Sequence, residues 1–389
     1  MLTEAQLNEL LEIFLARTQG IVEEYLIRMG EQIQEIGELI PSEINRLVQL
    51  EKMNANLDAI KKEIARLAEI SAEDLEKVFE AAMESDARFT AKTFGNEYKP
   101  SILQNPGLQQ MLRAQLEVTL GEMANLSQTT IVSDAYRRAI DRGIQAVQMG
   151  IEDYNTAIRR ALKEAAEDAI MVRIPGTNVY EKRIGYTGTY SRRLDSAVRQ
   201  NVLDGLRSLH NNVMEQMGRE FGADGWEISA HALCAEDHLP YQGRQYSFEA
   251  FERIQRSLAR PFFMWNCKHS KHPIVLGISE PAYSDNELEE YRRNSNEKIE
   301  IDGVAKTRYQ WTQEQRATER AIRRQKDVGI AARAAGNDGL RRDAQRNINV
   351  LMEHYRKISE KTAIAPDYTR TRVEGFKEMT KSQMAKVEK

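Results

Sequence analysis

The chain has 389 residues, of which 29% are charged, 41% hydrophobic and only 7% aromatic, with 22 glycines and nine prolines. That length exceeds one hydrophobic core, and many charges with few Gly and Pro favour long amphipathic helices over a sandwich or barrel. A net charge of −4 gives no global argument for nucleic-acid binding, two cysteines exclude a disulfide framework, and no apolar run approaches the ~18 residues of a membrane span.

The start, "MLTEAQLNELLEIFLARTQG", lacks a basic region followed by an apolar block, so the expectation is a protein kept in a reducing cytoplasm. Residues 1–170 carry a helical period almost throughout and read as an N-terminal helical bundle. Thr3 and Gln6 form a capping box, and Leu7, Leu10, Leu11, Ile13 and Phe14 follow at spacings of three and four. Ser42, after Pro41, predicts the N-cap of a second helix, and Ser71 with Asp74 predicts a third start. The strong break runs from Gly95 to Pro106, after which Leu108, Met111, Leu112 and Leu116 mark another stripe. Stripes of Leu and Met at this spacing pack a core rather than grip a cofactor.

After Ile170 the character changes. β-branched and aromatic residues bounded by Pro175, Gly176 and Gly188 lead to a helix over about 194–221, a stop at Gly222 to Gly225, and the short strand "WEISAH". Residues 171–285 therefore read as a compact α+β domain. Residues 286–389 return to helix: "SDNELEEYRRNSN" is capped, Asp302-Gly303 turns a hairpin, and "TQEQRATERAIRRQKDVGIAARAAG" is a long polar helix. Gln315, Glu319 and Arg323 share one face of that helix, read as a solvated face laced with ion pairs. Arg316, Arg320, Arg323 and Arg324 are its candidate contact with DNA or an acidic protein surface. The tail after Arg372 is polar and expected to fray. The fold class is mainly α with a central α+β domain.

"AHALCAEDHLPYQGRQYS" (230–247) and "FFMWNCKHSKHP" (262–273) hold both cysteines, Cys234 and Cys267, and four of the six histidines, His231, His238, His269 and His272. Tetrahedral zinc takes thiolates and neutral imidazoles. His231, Cys234 and His238 at spacings of three and four suit such ligands, and Cys267 or His269 closes the shell, although the spacing matches no standard finger. A nucleophilic reading takes Cys234 or Cys267 with a histidine base and Asp195 or Glu236 as orienter. The third reading is a buried thiol and histidines satisfied by backbone hydrogen bonds. No Walker loop, G-x-G-x-x-G, H-E-x-x-H or EF-hand loop is present.

Several pieces then stand in a familiar order: "LTEAQL", "LQNPGLQQML" (103–112), "RRLDSAVRQNVLDGL" (192–206), "WEISAHALCAEDHLPYQG" (226–243) with "WNCKHSKHPIVLGISEPAY" (265–283), "YQWTQEQRATERAIRRQK" (309–326) and "APDYTRTRV" (365–373). Together they resemble the minor capsid protein 2 family of tailed phages and prophages, related in role to Mu-type head-morphogenesis proteins. The most specific element is Ser-Ala-His with a later His-x-x-x-Gln-Gly and Trp-Asn-Cys-x-His. One departure is that the family pattern follows the first histidine with Gly-Ala-Arg, where this chain has Ala232, Leu233, Cys234 and Ala235.

The resemblance implies a structural role in head assembly. It implies as partners the portal protein and other head proteins, with no membrane; packaged double-stranded DNA is the expected partner of the four arginines, and no cofactor is expected beyond the zinc that the Cys/His residues themselves suggest. The implied place is the virion near the portal vertex, after assembly in the host cytoplasm. The alternative is an ADP-ribosyltransferase-like or toxin-associated domain, because head-morphogenesis domains resemble a degenerate form of that fold. It would need a Ser-Thr-Ser-like strand and a catalytic Glu, for which "EISAH" (227–231) and Glu249 or Glu252 are the nearest residues.

Overall fold

In the computed structural model, residues 4–38, 43–131, 136–138, 140–141, 154–167, 171–174, 190–263 and 267–387 are described. The architecture is mainly α with a minor β part. Helices α1 (Glu4–Glu38) and α2 (Glu43–Thr93) lie antiparallel, since Glu35 pairs with Lys52 near the turn and Arg17 with Asp74 well away from it. The caps expected at Thr3 and Ser42 lie outside the described residues.

The helix start expected at Ser71 is absent: α2 runs unbroken through 51 residues. Ser71 is fully buried, and its hydroxyl accepts from Arg17 Nη1 at 3.2 Å, so it serves interhelical contact rather than capping. Nothing between residues 43 and 93 is Gly or Pro, which leaves no residue to end the helix.

After a short 3-10 turn (Pro100–Gln104), α3 (Pro106–Thr129) begins at the expected break, with Asn105 Oδ1 accepting from the amide of Gly107 at 2.8 Å. Helices α4 (Tyr154–Glu167) and α5 (Leu194–Glu220) complete the large bundle. Three short strands sit beside them, β1 (Thr130–Ile131), β2 (Met171–Ile174) and β3 (Tyr190–Arg193), all antiparallel in the order β1-β2-β3.

A second antiparallel sheet has the order β5-β4-β6, with β4 (Gly225–Ile228) between β5 (Gln245–Ser247) and β6 (Lys271–Ile274). Trp226 of β4 faces Tyr246 and Pro273 in register. The sheet and α6 (Phe248–Ser257) enclose a small core of Trp226, Ile228, Phe251, Leu258 and Phe262, reached from the bundle by Met214 of α5.

Helix α7 (Asp285–Asn296) opens with a capping box between Ser284 and Glu287, and β7 (Lys298–Ile301) pairs with β8 (Val304–Thr307) around Asp302-Gly303, both at positive φ as a tight hairpin requires. Helices α8 (Arg308–Ala334) and α9 (Asp338–Thr362) then pack against each other. The face carrying Gln315 and Glu319 is buried there rather than solvated. Glu319 accepts from the buried Tyr355 hydroxyl at 3.0 Å, and Gln315 donates to Ser359 at 3.0 Å. The polarity of α8 thus supplies internal partners, a use that periodicity does not separate from solvent exposure.

The tail after Arg372 is docked, not frayed. Val373 and Met379 are buried, the Met379 amide donates to Gln345 at 3.1 Å, and α10 (Lys381–Lys386) carries its own capping box from Thr380 and Gln383. The principal core joins α1 to α5 with Val328, Ile330, Ala331 and Ala332 of α8, Leu340 and Ala344 of α9, and Val373. Helices from all three expected segments therefore share one core, and Arg372 also reaches back to Glu12 at 3.2 Å.

Candidate functional site

The loop between β4 and β5 is pinned at its base. The Gly243 amide donates to the Ile228 carbonyl at 2.8 Å, and Ser229 and Ser270 exchange bonds at 2.9 and 2.8 Å, drawing the end of β4 to the chain entering β6. Within the loop, the amides of His238 and Gln242 donate to Ala235 and His238 carbonyls at 2.9 and 3.1 Å, forming one helical turn that places His238 and Gln242 on the same side.

His238, Cys267 and His269 converge there. Their ligand atoms lie within 4.8 Å of one another, with Cys267 Sγ 3.2 Å from His269 Nδ1 and 3.7 Å from His238 Nδ1. The far nitrogens are engaged as well: His238 Nε2 meets the Arg260 carbonyl at 2.7 Å, and His269 Nε2 meets Gln242 Oε1 at 3.0 Å. Asp237 holds the Arg260 guanidinium at 2.7 and 3.1 Å, which fixes the loop carrying that carbonyl, and Phe262 stacks on His238 with ring centroids 4.2 Å apart.

The other two residues read as zinc ligands lie around this group. The His231 ring packs against that of His269 at 4.4 Å, with Nδ1 2.9 Å from the Ala232 carbonyl. Cys234 is buried and its thiol donates to the Ala235 carbonyl at 3.5 Å. Sequence reasoning ranked His269 behind His231 and Cys234 and passed over Gln242. The signal for Gln242 was its place four residues after His238, one helical turn on.

Burial pushes the Cys234 thiol up to about 12 and the Cys267 thiol upward. Burial also pushes His238 down, and with His231 and His238 as further causes takes His269 down to about 2. Neutral thiols beside neutral imidazoles are not the thiolate–imidazolium pair a cysteine nucleophile uses. Neither expected orienter is present: Asp195 belongs to a separate cluster with Arg193 and Arg323, and Glu236 is exposed. The carboxylates considered for transferase chemistry also lie elsewhere. Glu249 and Glu252 sit on the open face of α6, paired with Arg253 and Arg256 one turn on. Glu227 and Ser229 of "EISAH" accept from Gln245 and Ser270, so they are committed to the sheet.

The four arginines of α8 divide into two kinds. Arg316 pairs with buried Glu319 at 2.7 Å and Arg323 with buried Asp195 at 3.0 Å. Arg320 and Arg324 are exposed and make no ion pair among the described residues. Partial desolvation of its guanidinium against the protein surface, and then the neighbouring charges of Arg323 and Arg324, push Arg320 down although the residue as a whole is exposed.

His272 lies beside this site, on β6, its ring 5.0 Å from that of Phe89. Burial, with the charge of His210 as a further cause, lowers it to about 4, while Asp86 acts in the opposite sense. A histidine depressed in the folded state stabilises above its unfolded value and loses that contribution as the pH falls toward its folded value. Stability should therefore drop between about pH 6.5 and pH 4, at up to about 1.4 kcal/mol per pH unit for this one group. His272→Gln should flatten that slope in thermal unfolding measured across the range; an unchanged slope would refute the assignment.

The family model for phage minor capsid protein 2 matches residues 2–358. Neither the curated proteins nor the solved structures compared with the chain gave a match. Among the described residues, no helix is long and apolar enough to cross a membrane. The match spans nearly the whole chain, and the helical architecture and the loop motifs around His238 and Cys267 fall inside it. The chain belongs to the phage minor capsid protein 2 family and with it holds a structural place in the phage particle.

Proposed function

We propose that this structural role is exercised during head assembly at or near the portal vertex, through binding to the portal protein and neighbouring head proteins. The observation that carries the reading is an apolar row at the start of α2, where Ile44, Leu47 and Val48 are 74%, 57% and 43% exposed. Their spacing of three and four residues puts them on one face. An apolar face left toward water in a chain from a particle-building family is suited to bedding against another protein. A contact with packaged double-stranded DNA, if made through α8, falls to Arg320 and Arg324, because Arg316 and Arg323 are already engaged with buried acids.

A reconstruction of intact particles by electron cryo-microscopy, without imposed icosahedral symmetry, tests both parts. The expected map has the long α2 rod beside the portal, with its Ile44 end against portal or head protein and DNA density along the Arg320–Arg324 side. Density spread over every vertex, or none at the portal, would refute the reading.

A further inference from the structure

We propose that His238, Cys267 and His269 form a zinc site. The argument begins with protons, not with residue types. The backbone amide of His231 donates to Gln242 Oε1 at 3.1 Å. A backbone N–H is always a donor, so the oxygen of Gln242 is fixed at that position and its amide cannot be turned over. His269 Nε2, 3.0 Å from the same oxygen, must therefore carry its proton. His238 Nε2 faces the Arg260 carbonyl at 2.7 Å, and it too must be the protonated nitrogen.

In a neutral imidazole, a proton on Nε2 leaves a lone pair on Nδ1. Both Nδ1 atoms then aim lone pairs at one sulfur, Cys267 Sγ, at 3.2 and 3.7 Å. The thiol has a single hydrogen and can serve only one of them. In a buried setting the other acceptor lacks a donor, and a cation among the three atoms resolves the conflict.

The two sulfur–nitrogen distances fit that ion. Zinc bonds of about 2.3 Å to sulfur and about 2.0–2.1 Å to nitrogen, at tetrahedral angles, place S and N about 3.6 Å apart. The two observed separations, 3.2 and 3.7 Å, bracket that value closely. The outer shell is of the kind that zinc histidines use, since each ligand imidazole donates its far N–H to a carbonyl oxygen. One of those carbonyls is itself fixed through the Asp237–Arg260 pair. Three protein ligands of the soft, nitrogen-and-sulfur type select zinc over magnesium or calcium, and leave the fourth position to water. On binding, the Cys267 S–H bond breaks, the sulfur keeps the electron pair as the Zn–S bond forms, and the proton passes to solvent.

The full-length chain, stripped with chelator and given one equivalent of zinc before dialysis, should retain about one equivalent by elemental analysis. Cys267→Ser and His269→Asn should each retain less than a tenth of that. Cys234→Ser should bind as the native chain does, because its thiol is turned to the Ala235 carbonyl. A native chain that retains less than half an equivalent overturns the proposal, as does undiminished retention by Cys267→Ser. Loss of metal in Cys234→Ser overturns the ligand set. Cobalt titration of the native chain needs no variant: a thiolate-to-cobalt absorption band saturating at one equivalent is the expected result, and its absence overturns the site.

Discussion

Asp195→Ala should lower the unfolding free energy by about 3–5 kcal/mol. Asp195 is 2% exposed and joins Arg193 at 3.2 Å and Arg323 at 3.0 Å, while Arg193 also pairs with fully buried Asp327. Two cations and two anions thus balance where β3 passes into α5 and meets α8. Burial opposes the charge on Asp195, but Arg193 and Arg323 outweigh it and hold the carboxyl below its usual range. Burial also lowers Arg193, yet a guanidinium stays charged at any pH the fold survives, so removing Asp195 leaves an uncompensated buried cation.

The pairing also sets a pH dependence. A carboxyl depressed in the folded state contributes above its unfolded value, near pH 4, and the contribution is lost as the pH falls through the folded value. The native chain should lose stability below about pH 4 more steeply than Asp195→Ala. A double-mutant cycle checks the cause. Asp195→Ala with Arg323→Ala leaves Arg193 and Asp327 balanced, so the double variant should lose clearly less than the sum of the two singles by urea denaturation. Strict additivity would remove the network as the explanation.

Phe79→Ala should cost about 3–5 kcal/mol by a different mechanism, loss of buried apolar contact with a cavity left behind. Phe79 is fully buried where α2, α3 and α5 meet. A Cβ added at Gly205 of α5 would fall 2.9 Å from Phe79 Cζ and 2.3 Å from Thr119 Oγ1 of α3, so the three helices approach too closely there for the site to collapse around a smaller residue. Phe79→Leu, which keeps most of the volume, should cost much less. The check is the urea midpoint at unchanged slope; equal midpoints for the two variants would show that the cavity is not the cause.

The mainly α class, α5 with its Gly222 stop, the capping box at Ser284 and the Asp302-Gly303 hairpin were legible because each rests on local signals within a few residues. The expected break at Ser71 failed because a serine that caps and a serine that accepts from a facing helix look alike without the facing helix, here Arg17 of α1. The docked tail was missed for the same reason: Met379 is held by Gln345, a partner 34 positions away. At the candidate site, composition drew attention to the two stretches that the structure brings together. Which of the thiols and imidazoles face one another depends on Gln242 and the Arg260 carbonyl, and neither advertises itself in a list of ligand-forming residues.

The joining of α1 to α8 and of Glu12 to Arg372 bears on when the molecule can be completed. A chain is made from its N-terminus, and the first helix waits for partners that are synthesised some three hundred residues later. The part of its apolar face that meets α8 stays uncovered until those residues have left the ribosome, while α2 can cover its own part at once. Contacts of such long sequence separation form slowly. Residues 328–332 therefore close over a helix that precedes them by some three hundred positions, and that part of the core cannot form before they are made.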